Sequence, residues 1–366
     1  MSNALDRLEV PGLAEKRPSI ILGDKIRVKN HGGVDKWFVG YVHRVEQSSV
    51  LLRFHPTFNS YKGQRYDVCF FLCRSTIRRM HHALSVAWNS GRLLFPSQTD
   101  GASLVGPTEA ATSRLRFFNR LLEDNPPQRL AVTGITMQPP GSVPFIIFGP
   151  WVVLAILTTY ELTGVLPPCS PGTGKTVVAV EAMRQILDKD PSARLLACAP
   201  SNSAADLLAD RLRQQGIVPS EMFRLNAPTR PISALSKTLK TFSRPQGDVF
   251  IVPTLAELSR FRVIVATCFS TFLAYGVGVP RGHFSHIFID EAGQALEPEA
   301  MIAIRTMAGP RTNVVLSGDP RQLGPIVRSP VATKLGFALS YLDRLMQRNI
   351  YQPEYWEGKT FVLFTL

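Results

Sequence analysis

The stretch that decides how this chain folds is Pro171-Gly172-Thr173-Gly174-Lys175-Thr176. Glycines let backbone N–H groups turn towards a polyphosphate, Lys175 can reach its outer oxygens, and the Thr176 hydroxyl can ligate Mg²⁺. Residues 177–187 carry apolar side chains at helical spacing, so the stretch would lie at a helix N-terminus, where partial positive charge favours phosphate. The sequence predicts a phosphate-binding loop, with a glycine-rich turn before a core helix as the alternative.

This loop is interrupted. A complete motif requires a glycine at position 169, where Cys169 stands. Upstream, Phe145-Ile146-Ile147-Phe148-Gly149-Pro150 has the pattern of the strand and first loop residues, and omitting residues 151–170 joins both halves into one strand, loop and helix. We therefore interpret residues 151–170 as an aberrant insert that a retained intron encodes. A membrane span over residues 143–160 is the alternative, but two prolines, a glycine and the lack of basic flanks argue against it, and we expect no membrane partner.

The charge of the chain predicts a polyanionic partner. The formal net charge is +13, and residues 19–80 contribute 11 basic against 4 acidic side chains. The five cysteines are scattered without metal-ligand spacing, which argues against a disulfide framework or a zinc site and favours a reducing compartment. The first 17 residues lack the apolar core of a secretory signal, so a cytoplasmic location is expected.

The N-terminal part is expected to form a small domain. We interpret residues 1–17 as a flexible tail and residues 18–80 as an accessory antiparallel β-barrel, because short runs rich in β-branched and aromatic residues alternate there with turn signals. Such barrels often bind single strands through basic and aromatic side chains. For most of the aromatic residues, Trp37, Phe38 and Tyr41 among them, we expect a place in the core instead.

Residues 81–366 are predicted to form an α/β domain with a parallel sheet. Apolar runs at 145–148, 195–199, 263–267, 287–289 and 314–316 alternate with amphipathic segments, as in parallel sheets that helices cover on both faces. In this class of fold the chemistry lies at the carboxyl ends of the strands. Polar motifs directly follow these runs, at residues 200–202, 267, 290–291 and 318–322.

The paired carboxylates of Asp290-Glu291 are the acidic partner that a phosphate loop needs. One carboxylate can hold the Mg²⁺ shell and the other can polarise an attacking water. A solvated surface pair is the alternative, but the position directly after an apolar strand favours the functional interpretation.

The ordered motifs resemble those of superfamily 1 RNA helicases of the Moloney-leukaemia-virus-10 type, also called the Armitage or silencing-defective type. The resemblance rests on Gly-Lys-Thr, Ala-Pro-Ser-Asn-Ser-Ala-Ala-Asp, Ala-Thr-Cys, Asp-Glu-Ala-Gly-Gln-Ala and Gly-Asp-Pro-Arg-Gln-Leu-Gly-Pro, in this order, and covers roughly residues 20–350. It implies an accessory barrel before a RecA-like domain that hydrolyses ATP with Mg²⁺ and moves on single-stranded RNA. RNA-silencing or RNA-decay proteins would be its partners.

The resemblance also implies a role for individual residues. Gln128 would contact adenine, Asp290 would hold the metal with Thr176, Glu291 would act as the general base, and Gln322 would sense the γ-phosphate. The phosphates would be bound by the loop residues Gly172, Thr173, Gly174, Lys175 and Thr176. Contacts to the nucleic-acid backbone would come from Ser201, Asn202 and Thr267.

Two departures lead us to expect an inactive chain. The phosphate loop is interrupted, and the chain ends at Leu366, where the family would begin its second RecA-like domain. That domain supplies arginine fingers and half of the nucleic-acid groove in the family. The leading interpretation is a truncated ATP-dependent RNA helicase, and the alternative is a fragment that binds single-stranded nucleic acid without ATP turnover.

Overall fold

The computed structural model describes residues 5–10, 20, 24–33, 36–55, 58, 65–71, 74–86, 90–101, 107, 109–148, 174–247, 249–319, 322, 324–327, 329–352 and 363–365. The chain divides into two compact units: Met1–Arg78 with Thr229–Ala234, and Arg79–Pro228 with Leu235–Leu366. The predicted insert at residues 151–170 lies outside the described residues, as do Gly172 and Thr173 of the phosphate loop.

The first unit contains an antiparallel sheet. Its described strands are β1 (Asp6–Glu9), β2 (Lys25–Asn30), β3 (Phe38–Val45), β4 (Ser49–Phe54) and β5 (Tyr66–Phe71), arranged in the order β1-β4-β3-β2-β5. Ile26 and Val28 of β2 are buried while Arg27 between them is exposed, because successive side chains of a strand point to opposite faces. The buried side pairs them with Val42, Val50 and Leu52 in one core.

The prediction of a flexible tail over residues 1–17 is wrong for β1. Asp6–Glu9 pairs antiparallel with β4, with Leu8 opposite Val50, and Val10 is buried in the core of the sheet. The segment lacks a run of β-branched residues, so its strand conformation comes from pairing with β4 and not from local preference. Residues 1–4 and 11–17 lie outside the described part of the chain.

The prediction that most of the barrel aromatics are core residues is wrong for two of the three that it named. Phe38 packs against the core, but the side chains of Trp37 and Tyr41 remain 38% and 52% exposed. Register explains the difference, since Tyr41 lies an odd number of positions from Phe38 and therefore points to the opposite face of β3.

The second unit is built on a parallel sheet, which confirms the predicted α/β class. Its described strands are β6 (Phe145–Phe148), β7 (Leu195–Ala199), β8 (Met222–Leu225), β11 (Val263–Thr267), β12 (His286–Ile289), β13 (Asn313–Gly318) and β14 (Leu363–Thr365), in the order β14-β6-β13-β12-β7-β11-β8. Strands β9 (Pro245–Gln246) and β10 (Val249–Phe250) form a separate antiparallel pair. All residues of β7 and β11 are buried, which is why both read as continuous apolar runs.

Helices account for most of the remaining regular structure. Those of the described residues are α1 (Ser75–Ser85), α2 (Gly91–Leu94), α3 (Gln98–Gly101), α4 (Glu109–Thr112), α5 (Pro126–Met137), α6 (Lys175–Lys189), α7 (Asn202–Gln214), α8 (Lys237–Lys240), α9 (Leu255–Leu258), α10 (Thr271–Gly276), α11 (Glu297–Met307), α12 (Pro330–Lys334) and α13 (Tyr341–Met346). Within the described ranges, no helix is both long and apolar enough to cross a membrane.

Candidate functional site

Three sequence motifs meet at one edge of the parallel sheet. The strands β6, β13 and β12 are neighbours, so their carboxyl ends lie side by side. Lys175 and Thr176 occupy the first turn of α6, and Asp290 and Glu291 directly follow β12. The structure thus brings together the predicted phosphate-binding and acidic residues, which lie more than 100 positions apart along the chain.

Asp290 is held by hydrogen bonds from two different elements. Its Oδ2 accepts from the Thr176 hydroxyl of α6 at 2.9 Å, and its Oδ1 accepts from the Ser317 hydroxyl of β13. Its backbone N–H donates to the Cys198 carbonyl of β7 at 2.8 Å. The Asp290 carboxylate is therefore fixed at the point where the phosphate helix, β12 and β13 converge.

Burial acts on the protonation of this carboxylate. Asp290 is only 4% exposed, and desolvation raises its pKa, although the hydrogen bonds from Ser317 and Thr176 oppose that rise. A cation beside the carboxylate would favour its charged form. A cation bound here would therefore lower the pKa of Asp290 again and offset part of the desolvation that burial imposes.

Glu291 is held in an unusual backbone conformation. Its φ is 54°, in the left-handed region that residues other than glycine rarely adopt. Residues held in this conformation are often found at functional sites. Gln294 Nε2 donates to its Oε2 at 2.8 Å, which orients the carboxylate. Burial and the neighbouring Asp290 raise the pKa of Glu291, while the Lys175 ammonium opposes the rise. A carboxylate of raised pKa accepts a proton more readily near neutral pH.

The loops after β12 and β13 pack backbone against backbone. A Cβ on Gly293 would come within 2.9 Å of the Asp319 carbonyl oxygen, and one on Gly318 would come within 2.9 Å of the Gly293 nitrogen. Gln322, the predicted phosphate sensor, donates from Nε2 to the Asp319 carboxylate at 3.2 Å. The glycines thus allow the segment that carries Gln322 to rest directly on the segment that carries Glu291.

Gln128 lies beside the phosphate helix. Its backbone N–H, in the first turn of α5, donates to the Asn125 side chain at 3.3 Å, so the start of this helix is capped. A Cβ on Gly174 would meet Gln128 Nε2 at 2.4 Å, and Gly174 itself has a φ of +79°. Only glycine fits there without strain, and it lets the Gln128 amide lie against the end of the phosphate loop.

The three predicted nucleic-acid contacts lie at the ends of β7 and β11. Ser201 caps α7 and is exposed. The Asn202 side-chain oxygen accepts from the buried Arg224 guanidinium at 3.1 Å, and the Thr267 hydroxyl donates to Ser270 at 2.8 Å. All three side chains thus have intramolecular partners, since the Ser201 hydroxyl oxygen accepts from the Ala204 backbone N–H at 3.1 Å. Ser201 and Asn202 are exposed, whereas Thr267 is buried.

The oxygen donors at this edge suit magnesium bound together with a nucleotide. Thr176 and Asp290 supply hard oxygen atoms, and Mg²⁺ is usually held by one or two such protein groups plus phosphates and waters. The described residues contain no group of three or more His, Cys, Asp or Glu side chains that could hold a metal by themselves. The donor set therefore fits a shared cation and not a metal centre made of protein alone.

Several residues of the site were not predicted. Ser317 interrupts the apolar run of β13 just before Gly318, and this polar residue inside a buried strand was the available signal. Gln294 lies inside the quoted Asp-Glu-Ala-Gly-Gln-Ala motif but had no assigned role. Nothing in the sequence marked Arg224, which lies on a strand that was missed and donates to Asp206 at 2.9 Å.

Family models match both units of the chain. The model described as Helicase MOV-10, beta-barrel domain, matches residues 1–70, and the model described as AAA domain matches residues 126–247 and 253–330. The barrel match includes β1, in agreement with the structure. The AAA match begins at the first residue of α5 and contains the described residues of the site.

Curated relatives resemble nearly the whole chain. The Danio rerio protein mov-10-B.1 is 37% identical over 94% of this chain and 33% of its own length, and the Homo sapiens RNA helicase Mov10l1 is 34% identical over 95% and 32%. The Drosophila melanogaster protein armi is 31% identical over 95% of this chain and 30% of its own length. This chain therefore spans about a third of the length of the curated relatives that it matches.

Proposed function

Because this chain belongs to the MOV-10 family of helicases, we propose that it forms the nucleotide-binding segment of an ATP-dependent RNA helicase. The observation that carries the proposal is the hydrogen bond from Thr176 to Asp290. It joins the first turn of the phosphate helix to the carboxylate after β12. Because the contact brings the Thr176 hydroxyl and the Asp290 carboxylate together, it supports their proposed role as magnesium ligands.

Each site residue has a role that follows from its position. Lys175 in the first turn of α6 would bind the outer phosphates, and Thr176 with Asp290 would hold Mg²⁺. When bound, Mg²⁺ neutralises charge on the phosphate oxygens. Glu291, oriented by Gln294 and raised in pKa by burial, would take the proton of the attacking water.

The remaining roles concern the two ends of the nucleotide and the RNA. Gln128 would contact the adenine, as the family resemblance implies, and its amide lies beside Gly174 at the end of the phosphate loop. Gln322, held by Asp319, would respond to the γ-phosphate. Ser201, Asn202 and Thr267 would contact single-stranded RNA, and Ser201 and Asn202 are the exposed members of this group. A role in RNA silencing or decay, with protein partners in the cytoplasm, rests on family membership alone.

Calorimetric titration of Mg²⁺ and ATP into the 366-residue protein tests the proposal. We expect Lys175→Ala to abolish ATP binding and Asp290→Asn to remove its dependence on Mg²⁺. The exposed Asp188→Asn on the same helix is the matched control, and its affinity should equal that of the unmodified protein. ATP binding that Lys175→Ala and Asp290→Asn leave intact would refute the assigned site. RNA binding without ATP binding would favour a nucleic-acid-binding fragment instead.

A further inference from the structure

The turn that links β11 to α10 follows Thr267, one of the proposed contacts to the nucleic-acid backbone. The start of the turn is fixed to the sheet, because the backbone N–H of Cys268 donates to the Ala199 carbonyl of β7 at 2.9 Å. Its end is closed locally, since the backbone N–H of Ser270 donates to the Thr267 carbonyl at 2.8 Å. Neither bond involves the carbonyl of Phe269, which lies between Cys268 and Ser270.

A long-range hydrogen bond binds the middle of this turn. Arg79 of α1, which lies 190 positions earlier in the chain, donates from its guanidinium to the Phe269 carbonyl at 2.9 Å. The same guanidinium lies 5.6 Å from the centroid of the Phe272 ring, in the first turn of α10. Hydrogen bonds from a charged donor are roughly twice as strong as those between neutral groups. Arg79 therefore binds both the turn and the helix that follows it.

The position of Arg79 is fixed because its part of α1 is packed on other helices. From Arg79 onward the chain belongs to the second unit. The His82 ring, one turn further along α1, lies 5.2 Å from the Phe272 ring between centroids. The carbonyl of Val86, the residue after α1, accepts from the Arg305 guanidinium of α11 at 2.7 Å. Positions 79, 82 and 86 share one face of a helix, so three contacts hold that face in place.

The bond from Arg79 reaches the Thr267 side chain through a single peptide unit. The Phe269 carbonyl and the Ser270 N–H belong to the same planar peptide, so a group that holds the carbonyl also orients the N–H. That N–H lies 3.1 Å from the Thr267 hydroxyl oxygen, and the Thr267 hydroxyl donates to the Ser270 hydroxyl at 2.8 Å. Rotation of this peptide would therefore release the Thr267 side chain as well as the turn.

We propose that Arg79 is a positioning residue for strand binding: it holds the peptide between Phe269 and Ser270 in the orientation that presents Thr267 to single-stranded RNA. The inference rests on the proposed RNA helicase function and adds to it a residue outside all the motifs that carry the family resemblance. In this role Arg79 acts through the turn and does not bind a phosphate itself. Loss of its guanidinium should therefore loosen the turn and weaken strand binding without removing an ionic contact to the strand.

Hydrogen exchange followed by mass spectrometry tests the positioning in the 366-residue protein without a ligand. Arg79→Met keeps the apolar stem of the side chain and removes the donor, so amides in residues 267–271 should exchange about tenfold faster. Arg79→Lys keeps a charged donor and should retain slow exchange. Arg78→Met removes the same charge from an exposed neighbour on α1 and should leave the turn unchanged. Unchanged exchange of these amides in Arg79→Met would overturn the proposal.

Fluorescence anisotropy with a short labelled single-stranded RNA tests the consequence for binding. Arg79→Met should weaken binding about three- to tenfold, as expected when one hydrogen-bonded contact is lost. Arg79→Lys should restore the affinity. The slope of log affinity against log salt should be the same for Arg79→Met and the unmodified protein. A slope reduced by about 0.7 would mean that a phosphate contact had been lost, which would overturn the positioning role.

A double variant separates this inference from the proposed function. Thr267→Val keeps the shape of the side chain, removes the hydroxyl and should weaken strand binding. Adding Arg79→Met should weaken it no further, because both changes act on the same contact, and additive losses would overturn the proposal. If Thr267→Val weakened binding and Arg79→Met did not, the positioning role alone would fail. If neither variant changed the affinity although Arg79→Met exchanged faster, the proposed strand contact at Thr267 would fail, and the positioning role with it.

Discussion

Glu181 connects the phosphate helix to the segment that precedes Gln128, and its replacement should destabilise the second unit. The side chain is fully buried in α6. Its Oε1 accepts from the backbone N–H of Phe118 at 2.9 Å, and its Oε2 accepts from that of Asn119 at 3.1 Å. Two side-chain amides, those of Gln185 and Gln215, also donate to the carboxylate.

The magnitude follows from these donors. Hydrogen bonds to a charged group contribute about 1.5–3 kcal/mol each, and a buried donor left without a partner costs a similar amount. Glu181→Gln keeps the shape of the side chain but replaces one acceptor oxygen with an NH₂ group, which would face the N–H donors that now bind the carboxylate. Because these donors lose their acceptor, we expect the free energy of unfolding to fall by about 3 kcal/mol. Glu181→Ala leaves a cavity as well, and we expect a loss of about 4–5 kcal/mol.

Urea unfolding followed by circular dichroism measures this free energy. Asp188→Asn removes one negative charge from an exposed position two turns further along α6, and it should change the stability by less than about 0.5 kcal/mol. If Glu181→Gln were as stable as Asp188→Asn, the carboxylate network would not hold this region together.

Three further predictions concern single features. Gly174→Ala should weaken Mg²⁺-dependent ATP binding. A residue with a Cβ pays about 1–2 kcal/mol for the left-handed backbone conformation at this position, and the added carbon would also meet the Gln128 side chain. Undiminished affinity in calorimetry would contradict this prediction. Burial raises the pKa of Glu299 to about 8 from the ordinary 4.5, so between these pH values the folded protein holds a proton that the unfolded chain releases. The free energy of unfolding should therefore fall by about 1.4 kcal/mol per pH unit as the pH rises from 4.5 to 8. Glu299→Gln should remove that decline in urea titrations at several pH values, and a parallel decline in the variant would refute the assignment. Deletion of residues 151–170 should strengthen Mg²⁺-dependent ATP binding, with Lys175→Ala abolishing the gain; equal, tight binding with and without these residues would rule out a retained intron.

Local sequence patterns correctly predicted the strands that are buried on both faces. The strands Leu195–Ala199 and Val263–Thr267 match their predicted bounds, because a strand buried on both faces is a continuous apolar run. The α/β class followed from the alternation of such runs with helical segments, and the family followed from the order of the motifs. Between residues 113 and 124 the regular structure is a short 3-10 turn at Arg120–Leu122, because Phe118 and Asn119 donate their backbone N–H groups to the distant Glu181.

The sequence by itself therefore determined the class of fold, the family and most of the residues at the carboxyl ends of β6 and β12. Only the tertiary structure decided which side chains support them, as Ser317 supports Asp290 and Gln294 supports Glu291. It also decided that Trp37 and Tyr41 face solvent and that Met222–Leu225 is a strand. The physical reason is the distance along the sequence between the interacting residues. Apolar runs and helical spacing are local properties of the chain. The partner of a buried carboxylate and the exposed side of a sheet depend instead on residues that are distant in sequence and that only folding brings together.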